Sequence, residues 1–161
     1  AGLEYLKKSQ EPEGSWFGRW GVNYVYGTSN VLCALAAQNV PQSEAMVTRA
    51  LAWIKYVQNS DGGWGECLES YNDRTLMGKG SSTASQTAWG LMALMAYLPT
   101  SDNAVRRGME WLVKFQTKSG TWNESEFTGT GFPKYFYLRY HMYRHYFPMM
   151  ALGRFCRGLR N

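Results

Sequence analysis

A repeated spacing of glutamine and tryptophan constrains the fold of this chain more than any other feature of its sequence. In three places a Gln precedes a Trp by six residues, with a Gly two residues before the Trp. The three pairs are Gln10 with Trp16, Gln58 with Trp64, and Gln116 with Trp122. A fixed spacing that recurs every ~50 residues is typical of proteins built from repeated structural units. The sequence therefore predicts three units, at about residues 1–40, 41–98 and 99–161.

Each unit is expected to form a pair of helices. Before Gln58, the apolar residues Ala50, Trp53, Ile54 and Val57 follow helical spacing, which indicates an amphipathic helix. After each Gly-x-Trp turn a more apolar segment follows, at residues 28–38, at 81–98 and from about 140 onward. Because it is apolar nearly all round, this second helix should be the more buried of each pair. The predicted fold is all-α, a partial α/α toroid of three helical hairpins, about half of an α6/α6 barrel.

Helix starts can be predicted for two of the units. Ser43 precedes the first helix of the second unit, and Ser101 or Asp102 precedes that of the third unit. Short oxygen-bearing side chains at such positions accept hydrogen bonds from the free amides of the first turn. The Gln of each repeat has a different expected role. Its side-chain amide can donate and accept hydrogen bonds at once, so it can bridge exposed backbone groups at helix ends.

Composition indicates one globular domain over residues 1–161. The chain is 45% hydrophobic and 18% charged, which is too apolar for disorder. The net charge of +5 permits an anionic partner, but three arginines lie in the last eight residues, as in a solvated tail, and we expect no nucleic acid partner. Three cysteines without a close pair argue against a disulfide framework and a CxxC metal site. No apolar run is long enough to span a bilayer.

Aromatic residues are concentrated at residues 129–148, which read GTGFPKYFYLRYHMYRHYFP. On a single helix, Phe132, Phe136, Tyr140, Tyr143 and Phe147 would share one face. Alignment of the repeats instead starts the helix near Tyr140 and leaves Phe132 and Phe136 on a loop. These rings either pack the hairpins together or form a cavity wall for a cation, which each ring face attracts by roughly 0.5–2 kcal/mol.

Two other groups of polar residues have weaker functional readings. His141 and His145 are four residues apart and could bind zinc from one helical face, but no third ligand is evident, so we expect no metal. Four acidic residues occur between positions 61 and 73 and could suggest paired-carboxylate hydrolysis of a sugar. We interpret these four as solvated loop charges: Asp61, Glu66, Glu69 and Asp73.

Several segments together resemble the C-terminal part of bacterial squalene-hopene cyclases, over essentially the whole chain. Besides the repeats, known in that family as QW repeats, these are GSWFGRWGVNYVYGTS, QNSDGGWGECLESY, STASQTAWGLMAL and GTGFPKYFYLRYHMYRHYFPMMALGR. The resemblance implies an isomerase or lyase without cofactors that cyclises squalene to pentacyclic hopene or hopanol through carbocations. Two alternatives stay open, namely a prenyltransferase-like α/α toroid with a zinc site and a non-enzymatic helical-repeat interaction module.

The resemblance also implies roles for particular residues. Tyr26 would support the hydrogen-bond network of the catalytic acid. The residues that would line the substrate cavity are Trp20, Phe132, Phe136, Tyr140 and Tyr143. In the family the acid is an Asp of an Asp-x-Asp-Asp motif, which this sequence lacks, so we expect the acid upstream of residue 1 and the isolated chain to be inactive.

The resemblance finally implies a location and an assembly. Members of the family bind one surface of a membrane without crossing it. We therefore expect a peripheral, monotopic protein on the cytoplasmic side of the bacterial inner membrane, and the family also implies a homodimer.

Overall fold

The structure is a computed structural model that describes residues 1–160. Within these described residues there are six α-helices and one antiparallel pair of short strands. The helices are α1 (Gly2–Ser9), α2 (Tyr24–Ala37), α3 (Ala45–Tyr56), α4 (Ala84–Leu94), α5 (Asn103–Phe115) and α6 (Tyr143–Gly158). The strands are β1 (Gly129–Phe132) and β2 (Phe136–Leu138). Two 3-10 turns, Leu68–Tyr71 and Arg74–Leu76, lie in the long connection between α3 and α4.

The helices form two layers around α4. Helix α4 packs against α2 on one side and α6 on the other, while α3 and α5 also contact it. All eleven residues of α4 are buried, in keeping with its apolar sequence ASQTAWGLMAL. Helices α2, α4 and α6 therefore make an inner layer, with the amphipathic helices as the outer layer. The predicted all-α arrangement of helix pairs is confirmed, with a small β-hairpin added.

The prediction that the second helix of each pair is the more buried is wrong for the third pair. Six residues of α5 are buried, but in α6 only Pro148 and Ala151 are. Helix α6 contacts α4 along one side, and its remaining surface carries exposed apolar residues such as Met149 and Met150. Helix α6 thus has too few neighbours within residues 1–160 to bury its apolar circumference.

One of the predicted helix caps is present and another is not. The Asp102 carboxylate accepts a hydrogen bond from the Ala104 amide at 3.0 Å and caps α5. Ser43 does not cap α3, because the chain makes a turn in which the Glu44 amide donates to the Pro41 carbonyl, and Glu44 becomes the residue before the helix. Helix α2 also begins at Tyr24, four residues earlier than predicted.

The stretch at residues 129–138 is a β-hairpin and not helix, so Phe132 and Phe136 lie before the helix, as the repeat alignment predicts, on paired strands instead of an irregular loop. Phe132 pairs with Phe136 across the hairpin, and the turn between them holds Pro133 and Lys134, the latter at φ +76°. Proline lacks the amide that a helix interior needs, and the left-handed conformation of Lys134 reverses the chain. Helix α6 starts only at Tyr143.

The hairpin is joined to the distant segment before α2. Gly21 and Gly129 form an antiparallel bridge. The Val22 amide donates to the Thr128 carbonyl at 3.0 Å, and the Thr130 amide donates to the Trp20 carbonyl at 3.1 Å. This ladder places the segment around Trp20 beside the start of the aromatic stretch at Gly129. Within residues 1–160, none of the helices is both long and apolar enough to cross a membrane.

Candidate functional site

The repeated Gln and Trp side chains fix the turn of each helix pair, and two of the Gln side chains also join one pair to the next. The Nε2 groups of Gln10, Gln58 and Gln116 donate to the carbonyl of the Gly four residues later, at 2.8–3.0 Å. Gln10 and Gln58 also donate to the first turn of the next outer helix, at Met46 (2.8 Å) and Ala104 (2.9 Å). The indole N–H groups of Trp16, Trp64 and Trp122 donate to outer-helix carbonyls at 2.8–2.9 Å. These residues hold the framework on which the site is built.

Four aromatic side chains form a row along the inner layer. Tyr26 on α2 meets Trp89 on α4 edge to face, with ring centroids 4.9 Å apart. Trp89 lies 5.9 Å from Tyr143 on α6, and Tyr143 stacks on Tyr140 at 4.7 Å. Phe147, one helical turn after Tyr143, contacts Trp89 at 5.3 Å. The structure therefore brings together three sequence-predicted residues, Tyr26, Tyr140 and Tyr143, through Trp89, which sequence reasoning missed.

Glycines of the ladder seat the rings at both ends of this row. A Cβ on Gly21 would lie 2.5 Å from the Tyr26 ring, and one on Gly129 would lie 2.5 Å from the Tyr140 ring. Such distances are far below ordinary carbon–carbon contact, so both rings rest directly on backbone. Gly21 and Gly129 are the bridged pair, and hence Tyr26 and Tyr140 are positioned by one short piece of sheet.

The other predicted ring residues stand outside this row on the same ladder. Trp20, Phe132 and Phe136 are 52%, 62% and 51% exposed. The Phe136 ring packs over Gly131, and the guanidinium of Arg19 lies 5.0 Å from the Trp20 ring centroid. The hairpin and the segment before α2 thus present three half-exposed rings on the ladder that also seats Tyr26 and Tyr140.

Burial raises the pKa of two phenol hydroxyls at the row, those of Tyr143 and Tyr146. Desolvation raises the pKa of Tyr143, and the neighbouring hydroxyls of Tyr146 and Tyr26 raise it further. Desolvation also raises the pKa of Tyr146. The hydroxyls of Tyr143 and Tyr146 are therefore neutral at physiological pH, and their rings present π-faces without adding negative charge.

Glu66 is buried, so its interpretation as a solvated loop charge is wrong. It is 6% exposed, and its Oε2 accepts hydrogen bonds from the amides of Asn23 (3.1 Å) and Val25 (2.9 Å) at the start of α2. Desolvation raises the pKa of its carboxyl. The residue lies two positions after Trp64, and that position is occupied by a buried carboxylate in the next unit as well. Glu69 and Asp73 are exposed, as expected.

Glu124, two residues after Trp122, repeats the arrangement of Glu66. Its Oε2 accepts from the Ser85 amide at 2.8 Å and its Oε1 from the Ser85 hydroxyl at 2.8 Å, at the start of α4. Burial raises the pKa of this carboxyl too. The pattern Trp-x-Glu in two units is the signal that could have identified both carboxylates as caps of the preceding inner helix.

A polar cleft of about 950 Å³ lies apart from the aromatic row. Its lining includes Asp61, Glu126, Arg139 and Arg144, and none of the predicted cavity residues. The Asp61 carboxylate is engaged there: burial alone would raise its pKa, but hydrogen bonds from the Gly63 amide, the Ser82 hydroxyl and the Trp111 indole lower it. Volume alone would favour this cleft, but its charges suit an apolar or cationic hydrocarbon poorly.

The described residues contain no group of three or more His, Cys, Asp or Glu side chains placed to hold a metal ion. His141 lies in the turn before α6, whereas His145 lies within the helix. The two imidazoles therefore do not occupy successive turns of one helix, which was the arrangement considered from their spacing.

Comparison with known proteins identifies the chain's relatives. The squalene-hopene cyclase of Bradyrhizobium diazoefficiens is 51% identical over 161 residues, covering 99% of this chain and 24% of that protein. That of Alicyclobacillus acidocaldarius is 55% identical over 153 residues, covering 95% of this chain and 24% of that protein. The chain thus spans about a quarter of the length of these curated relatives.

The fold comparison finds a similar fold in a solved synthase structure. The structure of ent-copalyl diphosphate synthase from Streptomyces platensis superposes with a TM-score of 0.68 at 25% identity, covering 95% of this chain and 27% of that one. This likeness confirms the predicted partial α/α toroid. The family model described as squalene-hopene cyclase C-terminal domain matches residues 1–157. The chain therefore belongs to the family of squalene-hopene cyclase C-terminal domains.

Proposed function

We propose that this chain forms one wall of the cavity in which a complete cyclase converts squalene to pentacyclic hopene or hopanol. The observation that carries the proposal is the row from Tyr26 through Trp89 and Tyr143 to Tyr140, with ring centroids 4.7–5.9 Å apart. Trp20, Phe132 and Phe136 extend this wall on the glycine ladder. The overall reaction is an isomerisation when a proton is lost and a hydration when water adds.

The chemistry of the row suits a carbocation. Ring faces attract a cation by roughly 0.5–2 kcal/mol each, more in a dry site. Unlike carboxylates, they do not readily end the reaction by forming an ester with it. Successive rings of the row lie about 5 Å apart. This spacing would keep the positive charge near a π-face while the charge moves along the polyene.

The proton that starts the reaction should come from outside residues 1–161. Each of the three aspartates here has a structural partner: Asp61 accepts from the Ser82 hydroxyl, Asp73 from the Thr75 amide, and Asp102 from the Ala104 amide. None is placed in the row of rings. We therefore propose that Tyr26 supports an acid supplied by another part of the complete protein, and that the isolated chain is inactive.

The experiment uses the complete gene product that contains this chain, supplied with squalene, with products identified by mass spectrometry. Phe136→Ala and Tyr140→Ala should each turn pentacyclic product into partly cyclised product, because each removes a ring on the path of the cation. Tyr56→Ala is the matched control, since Tyr56 lies on outer helix α3 and is 85% exposed. Unaltered products from both ring variants would mean that these rings only pack the structure together and do not guide the cation. A folded protein without any cyclic product would favour the interaction module.

We also propose that the complete protein binds one face of a membrane, since squalene is a hydrocarbon that partitions into bilayers. Location on the cytoplasmic side of the bacterial inner membrane is part of this proposal. Flotation of the complete protein with lipid vesicles tests the binding, and sedimentation equilibrium tests the proposed homodimer. Full recovery in the lipid-free fraction contradicts the first, and a monomer mass contradicts the second.

A further inference from the structure

We propose that Glu66 is a positioning residue that holds the segment 18–26, and with it Trp20 and Tyr26, in the geometry of the cavity wall. This inference rests on the proposed function for its catalytic consequence. Its structural part stands on the hydrogen bonds of Glu66 alone.

The first step is the location of the carboxylate. The amides at the start of α2 have no carbonyl partner in their own helix and carry the positive end of the helix dipole. Glu66 Oε2 accepts two of them, from Asn23 and Val25, and Tyr26 is the residue that follows. The direction in which Tyr26 leaves the helix is therefore fixed by a side chain from the next unit.

The second step is that the rest of the segment is held from the same side. The Tyr71 hydroxyl lies 3.0 Å from the carbonyl oxygens of both Gly18 and Gly21. Gln86 Nε2 donates to the Val22 carbonyl at 3.0 Å and to the carbonyl of Glu66 itself at 3.0 Å. Glu66 is thus part of a buried network that grips the backbone on both sides of Trp20.

The third step is the effect of removing Glu66. The residue is 6% exposed, and its Oε1 is a buried atom without a hydrogen-bond partner among the described residues. Removing the carboxylate leaves the Asn23 and Val25 amides buried and unpaired, which is the costly direction of change. The segment would then shift until it finds another acceptor. Because Tyr26 rests on Gly21, such a shift moves the ring and the ladder together.

The test uses the complete gene product with Glu66→Ala, Glu66→Gln and the control Asp102→Ala. Asp102 also caps a helix through a carboxylate, but that helix is α5 of the outer layer, which carries no predicted cavity residue. Amide hydrogen exchange is measured over residues 18–26, and squalene products are measured on the same samples. Below their melting temperatures, Glu66→Ala should exchange roughly tenfold faster over this segment and form partly cyclised products.

The conservative variant makes the inference specific. Glu66→Gln keeps one oxygen that can accept from both amides, so it should restore most of the protection and most of the pentacyclic product. Asp102→Ala should lower stability but change neither the hydrogen exchange of residues 18–26 nor the squalene products. If Glu66→Ala does not fold, Glu66→Gln carries the test. A folded Glu66→Gln protein that loses the protection of residues 18–26 while keeping wild-type products would then contradict the inference.

Three outcomes would overturn the inference or separate it from the proposed function. Unchanged exchange at residues 18–26 in Glu66→Ala shows that the carboxylate does not hold the segment. Faster exchange with wild-type products shows that the cap serves stability alone, which also overturns it. If the unmodified protein forms no cyclic product, the proposed function fails, and faster exchange in Glu66→Ala then supports the anchoring by itself.

Discussion

Gly129→Ala tests whether backbone seats the rings of the wall. The new Cβ would lie 2.5 and 2.6 Å from two carbons of the Tyr140 ring and 3.2 Å from the Leu138 carbonyl oxygen. Ordinary carbon contacts begin near 3.5 Å, so the ring must move by about 1 Å. Gly129 is not among the glycines with positive φ, so the substitution probes this contact and not backbone strain.

The expected effect on stability is small, while the effect on the reaction is large. Overpacking a buried site costs about 1–3 kcal/mol, and Tyr140, which is 43% exposed, has room to swing outward, so we expect a value near 1 kcal/mol. A misplacement of about 1 Å at a reacting centre can lower a rate on the order of a hundredfold. Gly129→Ala should therefore keep its fold but lose pentacyclic product.

The assay compares squalene turnover and product composition of the complete gene product with its unfolding in denaturant. Gly153→Ala is the matched control, since a Cβ on this glycine of α6 meets nothing within 4 Å. It should be neutral in activity and gain about 0.5–1 kcal/mol from higher helix propensity. Wild-type rate and products in a folded Gly129→Ala protein would refute the argument that this glycine places Tyr140.

Two further predictions concern the framework. Gln58→Ala leaves the Gly62 and Ala104 carbonyls without their shared donor, and should cost about 1–3 kcal/mol in denaturant unfolding, whereas a loss below ~0.5 kcal/mol would contradict the bridging role. Burial raises the pKa of Glu124 from near 4.5, so its contribution to stability is complete below that pH and is lost as pH rises through the raised pKa. Glu124→Gln should therefore show a smaller fall in melting temperature from pH 4.5 to about 8 than the wild type, and parallel curves would contradict this.

Much of the fold was readable because the repeat is a local signal. The Trp64 indole and one N–H of Gln58 donate to backbone groups of the helix and turn around them, and only the second Gln58 bond, to Ala104, reaches the next unit. Helical periodicity likewise locates the outer helices, and Asp102 is a cap that local chemistry specifies. These features depend on neighbours in sequence, which is why pattern reasoning could find them.

The parts that escaped prediction depend on long-range contacts. The start of α2 is set by Glu66, which lies more than forty residues away, and not by a side chain near Asn23. Strand β1 forms where its edge meets the segment around Gly21, although glycine has low strand propensity. Trp89 reads as one more apolar residue of α4, and only packing shows that it joins the rings of two other helices.

The bridge between Gly21 and Gly129 also orders events during folding. Its partners are separated by roughly a hundred residues, and closing so long a loop is entropically costly until the intervening helices have packed. During synthesis, the segment before α2 emerges long before the strand that completes it. The outer helices and the Gln ties can form as each unit leaves the ribosome, whereas the seats of Tyr26 and Tyr140 arise together near the end. Misfolding of the final hairpin would therefore yield a helical protein whose framework is nearly intact and whose aromatic wall is unassembled.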